Sequence, residues 1–431
     1  MKKRVLIITY YWPPTGGSGV QRWVKFAKYL PEEGWQPVIY TPLNPEQIAL
    51  DNSLLADIPI EAEIIKKQIF EPATIYGLFK KRSSEGVNPI NGEKKSLTKR
   101  ISLFIRGNFF IPDPRVWWVK SSAKWLECYL KEHPVDVIVS TGPPHSMHLI
   151  ARKLSKAVGV PWVADFRDPW TKMFYFKHLS LTKASEKKHA RLEQAVLDDA
   201  TAVVAVTPLV RDDFQTQTKT PVHLITNGFD EDDFNIRMRE HSHFNIVHTG
   251  LFASDGIPDV FWDVLAEKVA EDPQFSSKLH IRLLGKTDRE VITSLEARGL
   301  GNRVIDMGYQ THNVAVREQK SASLLLLPLR KDPEYRKTYP GKVFEYLAAR
   351  RPVLGIGQED GAMAALLKET GVGTVCDWDN KEGMKVALDA AWEHYLDGDK
   401  PLEAGPVEEN SRRALTRKMA ALLDSLTDKK I

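Results

Sequence analysis

The first half of the chain alternates short apolar runs with stretches whose apolar residues recur every three to four positions. The runs lack polar alternation, as expected for strands buried on both faces of a parallel sheet, and they predict strands at 5–8, 135–140, 162–164 and 202–206. The stretches between them predict helices at 20–30, 121–131, 145–158 and 182–197. This half is therefore predicted to consist of β-α-β repeats.

A second series of strands begins after residue 243. The predicted strands are at 244–248, 280–284, 303–307, 322–327, 352–356 and 373–376, with helical patterns between them. Residues 230–243 have almost no apolar content and follow a strand-then-turn signal. We therefore predict an α/β protein with two Rossmann-like parallel-sheet domains, at 1–235 and 236–405. A helical tail at 406–431 could return to the first domain.

Composition and charge mainly exclude other classes of protein. With 42% hydrophobic and 27% charged residues the chain is near the globular average, and its net charge of +4 is too small for a dedicated nucleic-acid binder. Cys128 and Cys376 lie far apart without metal-ligand spacing, which favours a reducing cytoplasm. The apolar start reads as a first strand rather than a signal peptide, and no run of ~18 apolar residues predicts a transmembrane helix.

The segment at about 61–131 differs from its surroundings and is interpreted as a basic, aromatic insertion in the first domain. Fourteen Lys and Arg face seven acidic residues there, a local net charge of +7. Its bulky apolar residues are Phe109, Phe110, Ile111, Val116, Trp117 and Trp118. One interpretation is contact with an anionic membrane, whose headgroups attract the charges while the rings enter the interface. The other is a solvated loop whose aromatic side chains pack on the domain.

Glycines follow the first strand, at Gly16, Gly17 and Gly19, just before a helix begins. Such a turn lets the backbone approach an anionic ligand at the exposed helix-start amides. A dinucleotide fingerprint is disfavoured, because Arg22 stands where its third glycine should be and residues 39–41 lack the ribose-binding acid. The alternative is a tight turn without a ligand.

Two segments of the second half carry cations at strand ends. Residues 284–287 resemble the end of a phosphate-binding loop, but His280 replaces its first glycine, which excludes an NTPase and leaves Lys286 as a cation near the ligand-binding edge. After the strand at 322–327, Arg330 lies in a loop rich in basic residues, and Pro340 suits a helix start that exposes the amides of 341–343. Cations and amides there suit a diphosphate. Glu345, one turn further, would accept hydrogen bonds from ribose hydroxyls, or is simply a solvated acid.

Five motifs occur in order along the chain: YYWPPTGGSGVQRW at 10–23, STGPPHSMHL at 140–149, VPWVADFRDPW at 160–170, LITNGFDEDDF at 224–234 and YPGKVFEYLAARRPVLGI at 339–356. Through their order and spacing, nearly the whole chain resembles the retaining glycosyltransferases of GT-B architecture, of the family 4 type. The resemblance implies that a nucleotide sugar binds mainly to the second domain and an acceptor to the first, with transfer in the cleft between them.

Several residue roles follow from this resemblance. It implies that Gly16, Gly17 and Gly19 line the cleft near the transferred sugar or its phosphates, that Gly250 allows the donor to approach, and that Gly341, Lys342 and Glu345 bind the nucleotide. The chain departs from the family where Lys337 replaces the first of two Glu residues, where Leu251 replaces an Arg, and where 254–256 contain no base. We therefore expect Lys286, Arg330 and Lys342 to supply the cations for the diphosphate.

Two further residues are candidates for contact with the transferred sugar. His145 follows a strand at the same sheet edge as the glycine loop, and is either a sugar contact or a helix cap. Asp165 and Asp168 end the next strand; we expect Asp168 to orient sugar hydroxyls, whereas Asp165 could equally pair with Arg167 or cap the chain. The acidic run at 230–232 is interpreted as linker charge, because the family resemblance implies no metal.

The function expected from this resemblance is transfer of a sugar, of the hexosyltransferase type, from a nucleotide-diphosphate sugar to a glycan or lipid-linked acceptor in cell-envelope polysaccharide synthesis. No cofactor, metal or nucleic acid is expected. The predicted location is the cytoplasm, with peripheral contact at the inner face of an anionic membrane. The alternatives are a nucleotide-sugar epimerase or phosphorylase of the same plan, and a sugar-nucleotide-binding scaffold without activity.

Overall fold

The computed structural model describes residues 2–46, 50–69, 97–173, 176, 179–237 and 242–428, which form two compact units. The first unit comprises residues 1–226 together with 415–431, and the second comprises 227–414. The predicted boundary at 235 lies nine residues later, and the predicted helical tail is 406–431. From residue 415 onward this tail belongs to the first unit.

The first unit is built on one parallel sheet. Its strands are β1 (Lys3–Ile8), β2 (Trp35–Pro42), β3 (Glu63–Lys67), β4 (Val137–Gly142), β5 (Trp162–Phe166), β6 (Ala202–Ala205) and β7 (Val222–Leu224). Within the described residues the strand order is β3-β2-β1-β4-β5-β6-β7. All the pairings are parallel, so the carboxyl ends of the strands lie at one edge.

Helices cover both faces of this sheet. They are α1 (Ser18–Tyr29), α2 (Leu97–Phe109), α3 (Trp118–Glu132), α4 (Ser146–Val158), α5 (Lys183–Asp199), α6 (Pro208–Gln215) and, at the end of the chain, α14 (Arg412–Thr427). Alternate residues of β1 enter different cores: Leu6 and Ile8 pack in one, Val5 and Ile7 in the other. This two-sided burial explains why the strand is a continuous apolar run.

The second unit repeats the plan with six strands. They are β8 (Phe244–Thr249), β9 (Leu279–Leu284), β10 (Val304–Gly308), β11 (Leu324–Pro328), β12 (Val353–Ile356) and β13 (Gly373–Cys376), and their order is β10-β9-β8-β11-β12-β13 in the described residues. The helices are α7 (Asp259–Glu271), α8 (Pro273–Lys278), α9 (Arg289–Glu296), α10 (His312–Lys320), α11 (Lys342–Ala349), α12 (Ala362–Thr370) and α13 (Lys381–Leu396). The prediction of two Rossmann-like α/β domains is confirmed.

Part of the predicted insertion belongs to the first sheet and its packing. Residues 63–67 form strand β3, which pairs with β2, and helix α3 packs against α4. Trp118 is buried and stacks on Tyr40 with ring centroids 5.2 Å apart, so its interpretation as a membrane-facing ring is wrong. Phe109 and Trp117 are exposed. Residues 70–96 of the predicted insertion lie outside the described residues.

A buried ion pair fixes the carboxyl edge of the first sheet. The guanidinium of Arg22 lies 2.8 Å from the carboxylate of Asp165 in β5, and both side chains are almost fully buried. The same carboxylate accepts hydrogen bonds from the indole of Trp23 (2.7 Å) and the hydroxyl of Thr141 (2.9 Å). Burial raises the pKa of Asp165. Arg22 and these hydrogen bonds lower it by more, so the net pKa lies below its usual range. Arg22, which replaces the third glycine of a dinucleotide motif, thus serves the fold.

Replacing Arg22 with Met should destabilise the protein strongly, because it leaves a buried carboxylate without its cation. We expect a loss of ~3–5 kcal/mol in the free energy of unfolding at pH 7, measured by urea denaturation. Since the folded pKa of Asp165 is lowered, its pairing contributes above the unfolded pKa of about 3.9 and is lost as pH falls through the folded value. The difference between the two proteins should therefore shrink in acid.

The matched control is Lys172→Met, which breaks a partly exposed ion pair with Asp213. Such a pair is worth ~0–1 kcal/mol. A loss for Arg22→Met no larger than that of the control would contradict the role given to Arg22.

Candidate functional site

The carboxyl end of β8 in the second unit brings a glycine and a lysine together. Gly250 has φ of 93°, in the region that favours glycine. A Cβ added there would lie 3.2 Å from Nζ of Lys342 and 3.3 Å from its Cε. The glycine is therefore required by the backbone conformation and by the space that the lysine side chain occupies.

Lys342 begins helix α11, and its side chain is half-buried with two acceptors near its ammonium group. Nζ is 3.1 Å from Nε2 of His248 and 3.5 Å from the carbonyl oxygen of Leu251. Nδ1 of His248 lies 3.0 Å from the carbonyl oxygen of Leu326, and Nε2 lies 3.3 Å from that of Leu251. Burial, with a smaller effect of Lys342, lowers the pKa of His248 well below its usual range and keeps the ring neutral.

The lysine therefore has acceptors around it but no directly bound carboxylate among the described residues. Burial lowers the pKa of Lys342 to about 7, and the negative charge of Glu345 only partly opposes this. An anion placed beside Nζ would favour the charged form of the lysine. This is the position that sequence analysis assigned to the diphosphate.

Glu345 lies one turn along α11 and is held from a neighbouring helix. Nε2 of Gln319, on α10, donates to Oε2 of Glu345 (2.7 Å) and to the hydroxyl of Thr249 (3.1 Å). Oε1 of Glu345 lies 4.0 Å from Nδ1 of His312. The carboxylate is thus positioned on one oxygen and remains partly exposed, which suits an acceptor for ligand hydroxyl groups.

The other residues predicted to bind the nucleotide sugar lie at strand or helix ends. Gly341 immediately precedes α11 and is exposed, with open space around the position of a Cβ. Lys286 is exposed just after β9, where its carbonyl oxygen accepts a hydrogen bond from Phe252. Arg330, just after β11, forms an ion pair of 3.2 Å with Asp255. The structure brings Gly250, Lys342 and Glu345 together, whereas Arg330 already has a carboxylate partner.

The three glycines after β1, Gly16, Gly17 and Gly19, differ in the space that surrounds them. A Cβ on Gly16 would lie 2.9 Å from Cβ of Asp51, and one on Gly19 would lie 2.9 Å from Nη1 of Arg167. Gly17, at the N-cap of α1, has φ of 101° and open space where a Cβ would point. Gly16 and Gly19 therefore permit close packing within the unit, and Gly17 is the open position of the loop.

His145 lies between β4 and α4 and is 5% exposed. Its ring stacks on that of Trp170 with centroids 4.6 Å apart and planes 1° from parallel. Neither ring nitrogen has a hydrogen-bond partner within the described part of the chain. Burial first, and then His148, Arg167 and His189, lower the pKa of His145 well below its usual range, so the ring is neutral.

His145 occupies the N-cap position of α4, but its side chain makes no capping hydrogen bond. The first amide of α4, at Ser146, donates instead to Oδ2 of Asp113 (2.8 Å), and the hydroxyl of Ser146 donates to Oδ1 (2.9 Å). Asp113 therefore occupies the capping role. His145 is left with two unused ring nitrogens, which favours the interpretation as a ligand contact.

Asp168 and Asp165 have different surroundings. Burial raises the pKa of Asp168, while the charge of Arg167 opposes the shift. Asp165 pairs with Arg22, so the alternative pairing with Arg167 is wrong. Arg167 instead donates to the backbone carbonyls of Gly19 and Pro143 and so links the loops after β1 and β4.

Sequence reasoning missed several residues that position the site. His248 and Gln319 hold Lys342 and Glu345, and Trp170 fixes the ring plane of His145. Trp170 is itself held, because its indole donates to Nδ1 of His189 (3.0 Å) and its amide donates to Glu193 (3.0 Å). The signal for His248 was its place at the end of a buried strand, but Gln319 lies in the last turn of α10 without any motif.

Comparison with known protein families gives a match for part of the first unit. Residues 106–228 match the sequence profile of the Glycosyl transferase 4-like domain. A comparison with curated protein sequences gave no significant match.

Solved structures extend the likeness to the whole chain. A glycosyltransferase from Rickettsia africae has a TM-score of 0.61 at 14% identity, with 99% of this chain and 98% of that chain covered. The Anabaena protein HepE, in complex with UDP-glucose, has a TM-score of 0.52 at 14% identity, with 99% and 97% covered. A putative UDP-N-acetylglucosamine 2-epimerase from Listeria monocytogenes has a TM-score of 0.57 at 10% identity, with 100% and 98% covered. The glycosyl transferase 4-like recognition and the GT-B fold are confirmed.

Replacing Lys342 with Met should stabilise the protein near neutral pH and change its pH dependence. The unfolded chain binds a proton at this lysine up to pH ~10, whereas the folded pKa is about 7, so the wild-type free energy of unfolding should rise with pH between these values. The variant lacks this contribution. We expect it to be about 1–2 kcal/mol more stable than wild type at pH 6.5, with the gap closing by pH 9.5, in urea unfolding at both values.

Lys286→Met is the control, because this lysine is exposed. It should leave both the stability and its pH dependence near those of wild type. An equal response of the two variants would show that the ammonium of Lys342 is not desolvated.

Proposed function

We propose that this protein is a glycosyltransferase of the hexosyltransferase type that moves a sugar, with retention, from a nucleotide-diphosphate sugar to a glycan or lipid-linked acceptor in cell-envelope polysaccharide synthesis. The observation that carries the proposal is the position of the Lys342 ammonium, beside Gly250 and His248 at the start of α11. The glycosyl transferase 4-like match and the GT-B neighbours support it.

The donor is assigned to the second unit. Its diphosphate lies against Lys342 and the first amides of α11, including that of Gly341, where helix-start N–H groups lack partners within the helix. Arg330 and Lys286 extend the positive potential along the same sheet edge. Glu345 accepts hydrogen bonds from the ribose hydroxyls. This arrangement uses side-chain cations for the phosphates and no metal ion.

Catalysis then rests on the charge that develops on the departing nucleoside diphosphate. Cations and amides fixed at that position stabilise the transition state more than the ground state. The leaving phosphate helps to remove the proton of the incoming hydroxyl, which attacks on the same face of the sugar. His145 and Asp168 orient the sugar, and Gly16, Gly17 and Gly19 form the loop beside it.

Two rival functions remain open. The likeness to a putative UDP-N-acetylglucosamine 2-epimerase favours an epimerase on the same fold. A binding scaffold without turnover is the second rival, because Lys337 and Leu251 stand where family 4 enzymes have Glu and Arg. Incubation of the protein with nucleotide sugars separates the three. Transfer or slow hydrolysis supports the transferase, C2 inversion of the free donor supports the epimerase, and binding without turnover supports the scaffold.

A nucleoside diphosphate should bind and raise the melting temperature, since a ligand of the folded state stabilises it. We expect one of UDP, GDP or ADP to do so. Lys342→Ala and Arg330→Ala should each weaken this ligand ~10–100-fold by calorimetry, because each removes a charge-assisted hydrogen bond to phosphate. Lys368→Ala, an exposed lysine on α12, is the control and should bind normally. Wild-type affinity in both test variants would refute the assigned phosphate site.

Peripheral contact with an anionic membrane, from the cytoplasmic side, is part of the proposal. Helix α2 exposes Ile101, Phe104, Ile105 and Phe109, and Trp117 is exposed nearby in sequence. Within the described ranges, no helix has both the length and the hydropathy needed to cross a bilayer. Exposed apolar side chains among basic residues favour an interfacial position.

Replacing both Phe109 and Trp117 with Ser should weaken binding to vesicles that contain phosphatidylglycerol. Phe109 is 70% exposed and Trp117 54% exposed, so both rings can enter the interface without unfolding. We expect a loss of ~10–100-fold in the partition coefficient by co-sedimentation. The control is Ile60→Ser, because Ile60 is 97% exposed outside helix α2. Unchanged partition of the double variant would refute membrane contact through these rings.

A further inference from the structure

The loop that joins β11 to α11, residues 329–341, lies at the carboxyl edge of the second sheet. Its stretch 332–337 reaches the end of β12, because Nε2 of Gln358 donates to the carbonyl oxygen of Asp332 (3.3 Å). A Cβ on Gly361 would lie 3.1 Å from the carbonyl oxygen of Arg336. The turn at 333–337 also packs against α12, the helix that follows β12. The stretch 332–337 therefore lies on the β12 side of the sheet edge.

The residue assigned to the ribose lies toward a different helix. Glu345 accepts a hydrogen bond from Gln319 of α10, and α10 packs against β8. Lys342, assigned to the diphosphate, contacts His248 of β8. In the strand order β8-β11-β12, β12 is two strands from β8, or ~10 Å at ~4.8 Å per strand. A diphosphate held at Lys342 with its ribose toward α10 thus directs its sugar toward the stretch 332–337.

The charges of this loop are only partly compensated. The loop contains four basic residues, Arg330, Lys331, Arg336 and Lys337. Both arginines pair with carboxylates, at nitrogen–oxygen distances of 3.2 Å and 2.8 Å. Neither lysine forms an ion pair within the described part of the chain, and Lys331 is exposed whereas Lys337 is half-buried. An anion beside a half-buried ammonium is less screened by water, so Lys337 is the stronger site for one.

The charge at position 337 decides which sugars this stretch can recognise. The family pattern has Glu there, and a carboxylate accepts hydrogen bonds from neutral hydroxyl groups. Lys337 reverses the charge, and an ammonium group donates hydrogen bonds and accepts none. Its charge-assisted hydrogen bond to a carboxylate is roughly twice as strong as one between neutral groups. Lys337 is therefore suited to a sugar that carries a carboxylate.

We propose that Lys337 binds the carboxylate of the transferred sugar, which makes the donor a nucleotide-linked hexuronic acid. The inference rests on the proposed glycosyltransferase function and names the class of its donor. The carboxylate takes no part in the bond changes. The anomeric carbon loses an oxygen of the diphosphate and gains the hydroxyl oxygen of the acceptor, whose proton passes to the leaving diphosphate.

The experiment compares matched donors by calorimetry on the full-length protein. The nucleotide is whichever of UDP, GDP or ADP binds wild type. Glucuronate, galacturonate and mannuronate linked to this nucleotide are compared with glucose, galactose and mannose linked to it. We expect at least one acidic donor to bind about tenfold more tightly than its neutral counterpart, because it adds a charge-assisted hydrogen bond. Equal or weaker binding of all three acidic donors would overturn the proposal.

Variants at two lysines of the same loop test the assignment to Lys337. Lys337→Gln should abolish the preference for the acidic donor and leave the binding of neutral donors unchanged. Lys337→Glu should reverse the preference, because it places two carboxylates together. Lys331→Gln removes the same charge from an exposed position and should keep the preference. A preference that survives Lys337→Gln, or that Lys331→Gln reduces equally, would overturn the assignment.

Binding of the nucleoside diphosphate alone separates this inference from the proposed function. It should be the same in wild type and all three variants, which also shows that the variants are folded. If the nucleoside diphosphate binds wild type and no preference for an acidic sugar appears, only the donor class is wrong. If it does not bind wild type, the proposed function fails and the inference fails with it.

Discussion

The buried carboxylate of Asp165 is the interaction on which the edge of the first sheet depends. A carboxylate removed from water requires partners for its charge, and Asp165 has Arg22, Trp23 and Thr141. Arg22 also donates to the carbonyls of Ile225 and Thr226, so the pair fixes the start of α1 to β5 and to the chain after β7. The loops that carry the glycines and His145 are built on this fixed edge.

The side chains proposed to bind ligands, His145 and Lys342, have fewer partners than Asp165. His145 has two buried nitrogens without partners in the described chain, and Lys342 has only a neutral imidazole and a carbonyl near its ammonium. Both lie at the carboxyl ends of parallel strands, where open α/β sheets bind ligands. The carboxylate of Asp165 has several hydrogen-bond donors, whereas the ring of His145 has none among the described residues.

How much the sequence could predict follows from the range of each interaction. Continuous apolar runs such as β1 and β11 are local signals, and they located most strands within two residues. Strand β2 was missed because Pro37 and Pro42 interrupt its pattern, although β1 and β3 pair with it on both sides. Motif spacing located Lys342 and Glu345, but the contacts of His248 and Gln319 span 94 and 26 residues along the chain. Only the folded structure brings such partners together.

The departures from the family pattern gain a physical meaning at Lys342. Leu251 stands where family 4 enzymes commonly have Arg, so position 251 supplies no cation beside Lys342. A lysine pKa lowered from 10.5 to about 7 corresponds to a few kcal/mol against the charged form. One negative charge at about 3 Å contributes ~5 kcal/mol at an effective dielectric constant of 20, which is of the same order. A diphosphate, with more than one charge, is therefore sufficient to restore the ammonium. The empty site bears the cost of holding this lysine away from water near neutral pH, and a bound diphosphate would offset that cost.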